Sequence, residues 1–98
     1  MNGHLQLNQA DSMKAIFGAS DDLQIYHDGN HSYINDAGSG LLKLVTSGFQ
    51  VRNAADDETL IYAVQDGAVN LYYDNAKKFE TSSAGTLTQG DATITDAV

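Results

Sequence analysis

The segment DDLQIYHDGNHSYIND, residues 21–36, contains two short runs of strand-forming residues on either side of the triplet Asp28-Gly29-Asn30. In the first run, Leu23 and Ile25 flank a polar glutamine. Alternation with a period of two is typical of a strand with one covered face. Gly, Asn and Asp tolerate the positive φ angles that tight hairpin turns require. The segment therefore predicts two antiparallel strands that meet at a tight turn.

Turn signals of the same kind recur about every ten residues along the chain, which is the spacing of short strands in all-β proteins. The runs of β-branched, aliphatic and aromatic residues between them are LQIYH, SYI, LLKLV, FQVR, TLIYAV, AVNLYY, KFET, GTLT and ATIT. This spacing predicts an all-β meander, prism, sandwich or barrel. Residues 10–17 alone suit a short helix, although KAIFG within them reads equally well as a strand. In the Asp66-Gly67 turn, we expect Gly67 to take a positive φ.

One hairpin pattern occurs twice. Residues 25–36 and 61–75 each contain Ile-Tyr, an Asp-Gly turn and a Tyr-containing strand that leads to an acidic turn. We therefore divide the chain into three segments. Residues 1–20 form an N-terminal strand or short helix segment, residues 21–83 a paired β-hairpin repeat module, and residues 84–98 a Thr-rich stem or the start of a further repeat.

The apolar content of the chain is low for a domain that folds alone. Leu, Ile, Val and Phe together number 22 of 98 residues, close to the level at which chains remain unfolded. The chain has no cysteine that could form a disulfide, and a small domain buries a small fraction of its surface. We therefore expect self-association, with apolar positions buried between copies. The candidates are Leu23, Ile25, Leu42, Leu44, Phe49, Val51, Ile61, Val69, Leu71, Phe79 and Leu87.

The charge of the chain argues against two classes of partner. Thirteen acidic residues against five basic ones give a formal charge of −8. An acidic surface without a basic patch repels a phosphate backbone, so we expect no nucleic-acid partner. No apolar run approaches the length that spans a bilayer, so we expect no membrane insertion.

His27, Asp28 and His31 are the candidate metal ligands, since two imidazoles and a carboxylate can hold a divalent cation. A turn separates the two histidines, and the second hairpin has no histidine at all. The simpler interpretation is that these residues decorate the turn. In a trimer, three copies of His27 could also converge on the symmetry axis. We expect no metal and no other cofactor.

Catalytic motifs are weak. The acidic groups Asp21-Asp22 and 56–58 could serve as glycosidase carboxylates, but each lies in a predicted turn, where acids usually bind backbone amides. The sequence contains no nucleophile elbow, and the glycines of AGSGLL lack the lysine of a phosphate-binding loop. We therefore expect no enzymatic activity.

The tyrosines are candidates for receptor or glycan contact, because each presents a large ring and a polar hydroxyl. The candidates are Tyr26, Tyr33, Tyr62 and Tyr72. Cross-strand packing, or packing against another chain, is the alternative interpretation and the one we favour. Tyr72 and Tyr73 are adjacent on one predicted strand and must point to opposite faces, so at least one lies at a surface or an interface.

The strings DDLQIYHDGNHSYIND and LYYDNAKKFETSSAGTLTQG resemble paired repeats in structural proteins of tailed bacteriophages, especially tail-fibre proteins of marine phages and cyanophages. The resemblance covers residues 14–90. It implies a non-enzymatic, short-stranded meander or β-prism-like fibre module, built as an intertwined homotrimer. It provides no catalytic residues.

From this resemblance we expect a structural module of a phage tail fibre or virion appendage that gives shape and contributes to host-surface attachment. Its partners would be identical copies, other virion proteins and a host-surface glycan or protein receptor. Its location would be the virion, assembled in the host cytoplasm. The alternatives are a carbohydrate-binding fibre tip or a capsid decoration protein, with a polysaccharide depolymerase ranked below both.

Overall fold

The computed structural model describes residues 3–96, and all regular secondary structure within them is β. The strands are β1 Lys14–Phe17, β2 Leu23–His27, β3 Ser32–Asp36, β4 Gly48–Arg52, β5 Thr59–Val64, β6 Val69–Tyr73, β7 Ala76–Ser82 and β8 Gly85–Thr88. They form two antiparallel sheets, and the chain divides into two units between Leu44 and Val45. The all-β prediction is confirmed, and the strand alternative for KAIFG is correct.

The first sheet has the order β1-β2-β3, and its strands follow one another along the chain. Ile25 lies opposite both Ala15 and Ile34, and Tyr26 lies opposite Tyr33. Because opposite residues point to the same face of a sheet, these pairs put aliphatic side chains on one face and tyrosines on the other. The hairpin predicted from residues 21–36 is confirmed as β2 and β3.

The second sheet is a five-stranded meander in the order β4-β5-β6-β7-β8. A two-residue turn joins β6 to β7 through Asp74 (φ 49°) and Asn75 (φ 65°). Two consecutive residues with positive φ are typical of a type I′ hairpin, whose twist matches that of the flanking strands. Asp and Asn tolerate this conformation better than other non-glycine residues. The sequence therefore sets the register of this hairpin locally.

The second sheet has one apolar face. Two rows of side chains cross this face in register. The first row is Val51, Ile61, Leu71, Phe79 and Thr88, and the second is Phe49, Ala63, Val69, Thr81 and Thr86. The opposite face is mixed, because Gln50, Asn70 and Glu80 share it with Tyr62 and Leu87. The strand alternation seen in the sequence thus produces a two-sided sheet, as expected for a sheet that covers a core.

No residue among 3–96 is buried. Of the positions predicted to be buried between copies, Leu23, Ile61 and Phe79 are half-buried in the single chain and the others are exposed. The chain has an accessible surface of 8174 Å², whereas a folded monomer of this mass exposes about 5,400 Å². The chain thus exposes more surface than a compact domain of its mass, in keeping with the lack of buried residues among 3–96. Burial of these positions between copies stays a prediction.

Two predicted strands are wrong. LLKLV, residues 41–45, and ATIT, residues 92–95, lie outside the eight strands. Both runs have the alternation of a strand, but neither has a partner strand among the described residues. Backbone pairing decides strand formation, and alternation alone does not provide it.

The expected positive φ at Gly67 is also wrong, because Asp66 takes it instead, with φ 59°. A steric contact explains the glycine at position 67, because a Cβ there would lie 2.6 Å from Val64 Cγ1. The division of the chain predicted from the sequence has boundaries after residues 20 and 83. The first boundary separates β1 from its partner β2, and the second separates β7 from its partner β8.

Asn75 provides a test of the β6–β7 turn. We expect Asn75→Gly to keep or raise the free energy of unfolding, because glycine accepts φ 65° without steric cost. Asn75→Val should lower it by about 1–2 kcal/mol, because a β-branched residue is strained in the left-handed region. Chemical denaturation monitored by circular dichroism measures both. Equal stability of the two variants would contradict the assigned turn.

Candidate functional site

The β2–β3 turn, residues 28–31, is organised by Asp28. Its Oδ1 accepts hydrogen bonds from the backbone N–H groups of Asn30 at 2.9 Å and His31 at 2.7 Å. Its Oδ2 accepts one from the Tyr33 hydroxyl at 2.9 Å. Asp side chains commonly stabilise turns in this way. The carboxylate predicted as a metal ligand thus serves as the acceptor that holds the turn.

The same contacts change two pKa values. The N–H groups of His31 and Asn30, followed by the Tyr33 hydroxyl, hold the pKa of Asp28 below its ordinary value of 3.8. The hydrogen bond to Asp28 raises the pKa of Tyr33 above its ordinary value of 10.0. Hydrogen bonds to a carboxylate favour its charged form. A low pKa makes Asp28 a poor proton donor near neutral pH, so it does not suit general acid catalysis.

The two histidines have separate neighbours. His27 Nδ1 is hydrogen-bonded to Ser32 Oγ at 2.9 Å, and His31 Nε2 lies 3.3 Å from Asn30 Nδ2. No group of three or more metal-ligating side chains is found in the part of the chain that the structure describes. The structure therefore does not bring His27, Asp28 and His31 together as a ligand set.

Tyr26 and Tyr33 stack on each other across β2 and β3. Their ring centroids are 4.7 Å apart and their planes differ by 16°. Lys14 Nζ lies 4.5 Å from the centroid of the Tyr26 ring and donates a hydrogen bond to Gln24 Oε1 at 2.9 Å. The ring faces that a sugar would need are thus partly occupied by protein groups. This geometry favours cross-strand packing as the role of these two tyrosines.

The tyrosines of the second sheet differ in exposure. Tyr62 and Tyr72 are half-buried, whereas Tyr73 is 75% exposed. The expectation that Tyr72 and Tyr73 differ, with one at the surface, is confirmed. Tyr73, which was not among the contact candidates, is the more exposed of the two because it is next to the Asp74-Asn75 turn. The structure places the four candidate tyrosines in two separate units.

The carboxylates considered for catalysis serve local structure. Asp56 accepts a hydrogen bond from Arg52 Nε at 2.7 Å, and Asp57 Oδ1 accepts one from Asn53 Nδ2 at 2.8 Å. Asp21 adopts φ 58° in the turn between β1 and β2. Asp56 and Asp57 thus accept hydrogen bonds from side chains, not from the backbone amides that the sequence interpretation expected. Asn53 Oδ1 instead accepts hydrogen bonds from the backbone N–H groups of Asp57 and Glu58.

An open depression of about 480 Å³ lies in the first unit, where Asp11, Met13 and His27 are among its lining residues. It is bordered mainly by residues 7–11, which precede β1.

Exposed apolar surface is the prominent chemical feature of the described residues. On the apolar face of the second sheet, Phe49, Val51, Val69 and Leu71 are each more than a third exposed. Apart from that face, the segment 41–45, which spans the boundary between the two units, is also apolar, and Leu41 is 81% exposed. Segments between compact units are usually polar, so this one is unusual. Contiguous exposed apolar surface usually marks an interaction site.

No protein-family model, curated protein or solved structure matches the chain. Among residues 3–96, no helix has the length and apolar character needed to cross a membrane.

The Asp28–Tyr33 hydrogen bond gives a pH prediction. Because the folded-state pKa of Asp28 is lowered, its contribution to stability is present above its ordinary value of 3.8 and is lost as pH falls through the folded-state pKa. Tyr33→Phe removes one donor, so the Asp28 titration midpoint should rise. It should stay below the ordinary value, because the two backbone donors remain.

Carboxyl-carbon NMR titration of Asp28 measures this midpoint. Tyr26→Phe is the matched control, since it removes a hydroxyl from the same stack and leaves every donor to Asp28 in place. An Asp28 midpoint that is identical in Tyr33→Phe and the parent would contradict the assigned hydrogen bond.

Proposed function

We propose that the chain is a non-catalytic structural module of a bacteriophage tail fibre or related virion appendage, and that it works as a homo-oligomer of three copies. Its role is to give the appendage its shape and to contribute to attachment at the host surface. Its partners in this role are identical copies, other virion proteins and a glycan or protein receptor on the host.

One observation carries the proposal: the five-stranded sheet has an apolar face, and no residue among 3–96 is buried. A sheet with one apolar face is stable when another layer covers that face. Identical copies are the simplest source of such a layer, because their own apolar faces need cover equally.

The polar sites support a structural role. The charged and aromatic side chains around the β2–β3 turn bind one another or the local backbone, as Asp28 does with His31 and Tyr33. An active site normally holds groups with pKa values tuned to proton transfer near neutral pH. The two shifted groups that the structure describes, Asp28 and Tyr33, are instead shifted away from neutrality.

The resemblance to tail-fibre repeats supports the placement in a virion. The strings that carry it, DDLQIYHDGNHSYIND and LYYDNAKKFETSSAGTLTQG, include the β2–β3 hairpin, the last three residues of β6, and all of β7 and β8. Each of these is built from strands adjacent in sequence. Such local units suit repetition along a fibre, because each copy forms its backbone pairing without distant segments.

Two measurements test the proposal. Multi-angle light scattering of the purified chain should give a mass three times that of the chain, and a monomer at every concentration would contradict self-association. Immunogold electron microscopy of phage particles that encode the chain should label the tail appendages. Label confined to the capsid would instead identify a decoration protein, and unlabelled particles would remove the virion assignment.

A further inference from the structure

We infer that the apolar face of the second sheet, defined by the two rows from Val51 to Thr88 and from Phe49 to Thr86, is the surface through which copies of this chain associate. The occupant of this face is the same face of a neighbouring copy. The inference rests on the proposed self-association and identifies the surface responsible for it.

The face is continuous across all strands of the sheet. Its first row runs in register from Val51 through Leu71 to Thr88, with aliphatic or aromatic side chains until the last strand. Leu71, at the centre of this row, is 41% exposed. Burial of each such side chain typically stabilises a fold or an interface. A large apolar side chain at the centre of a face is also where interface energy concentrates.

The charge distribution makes this face the favourable place for association between copies of the chain. None of the residues in the two rows is charged, although the chain carries a formal charge of −8. Two such chains repel, and an interface that contained carboxylates would add desolvation and like-charge costs. A neutral apolar face is therefore the place where identical acidic chains can meet at the lowest electrostatic cost.

The opposite face of the sheet is mixed and carries charged groups. Arg52 and Asp56 form an ion pair of 2.7 Å near one edge, and Lys77 and Glu80 form one of 2.9 Å on β7. Gln50 and Glu80 share that face with Tyr62 and Leu87. Burial of its charged groups would carry a desolvation cost, so the neutral apolar face is favoured for association.

An identical copy is the simplest partner for this face. Phe49, Val51, Val69 and Leu71 are each more than a third exposed on it. Cover by an unrelated protein would need a second chain with a matching neutral face. The copies of this chain have that face by construction, so they are the occupant that the observations favour.

The first test places a charge on the face. Leu71→Lys should weaken association by roughly 100-fold, because the ammonium group would be buried against apolar side chains without a partner. Gln50→Lys is the matched control: it introduces the same charge on the opposite face of the same sheet and should leave the oligomer mass unchanged. Light scattering across a dilution series measures both variants.

The second test avoids a destabilising substitution. The chain has no cysteine, so one introduced thiol is a clean reporter. The Val69→Cys thiol, on the apolar face, should react with a maleimide at least about tenfold more slowly in the oligomer than in the dilute, dissociated chain. The reason is that a thiol buried in an interface reacts only when the interface opens. Lys77→Cys, on the opposite face, should react at the same rate in both conditions.

The outcomes separate the inference from the proposed function. A parent chain that is monomeric at every concentration would overturn both. An oligomer that tolerates Leu71→Lys, or that leaves the Val69→Cys thiol reactive, would overturn the inference and retain self-association through another surface. Protection of the Val69→Cys thiol in a monomer would show that the face is covered within one chain, which also overturns the inference.

Salt dependence provides an independent criterion. Because the interface is neutral and the chains are acidic, raising the salt concentration from about 20 mM to about 300 mM should strengthen association by screening repulsion. An association that weakens with salt would indicate an interface built on opposite charges and would contradict the neutral face.

Discussion

The uncovered apolar face of the second sheet is the constraint on which the rest of the molecule depends. Alternation along β4 to β8 directs Val51, Ile61 and Leu71 to one side and Gln50 and Asn70 to the other. A single layer satisfies its backbone hydrogen bonds but leaves its apolar side in water. The sheet therefore has the pattern of one half of a two-layer structure.

The strands are held in place by local turns, which explains how sheets form without a buried core. Asp74 and Asn75 fix the β6–β7 hairpin through their positive φ angles, and Asp28 closes the β2–β3 turn with backbone and hydroxyl hydrogen bonds. All strand pairs join neighbours in sequence, so each closure involves a short loop of low entropic cost. The turns define the sheets, and association would provide the missing burial.

Much of the fold can be predicted from the sequence because strand pairing here is local. The runs LQIYH, TLIYAV and GTLT coincide with β2, β5 and β8, since turn residues bound each of them. LLKLV fails because its alternation matches a strand while its backbone has no partner strand among the described residues. Periodicity reports which side chains can share a face, but it does not report whether a neighbouring strand exists.

The candidate sites were less predictable. The sequence places His27, Asp28 and His31 near one turn, but the hydrogen bond from Tyr33 to Asp28 depends on the register of β2 and β3. Likewise, the sequence does not show that Asp66, and not Gly67, takes the positive φ, because several residue types are compatible with the turn geometry. The low apolar content did indicate the missing core, because composition limits the apolar area that a chain can bury.

The concentration dependence of thermal unfolding tests the central claim most directly. If the chain completes its interior with identical copies, unfolding is coupled to dissociation, and Tm must rise as chain concentration increases. Calorimetry over a hundredfold range of concentration should show this rise together with a single transition. A Tm that does not change with concentration, in a cooperatively folded monomer, would contradict the claim.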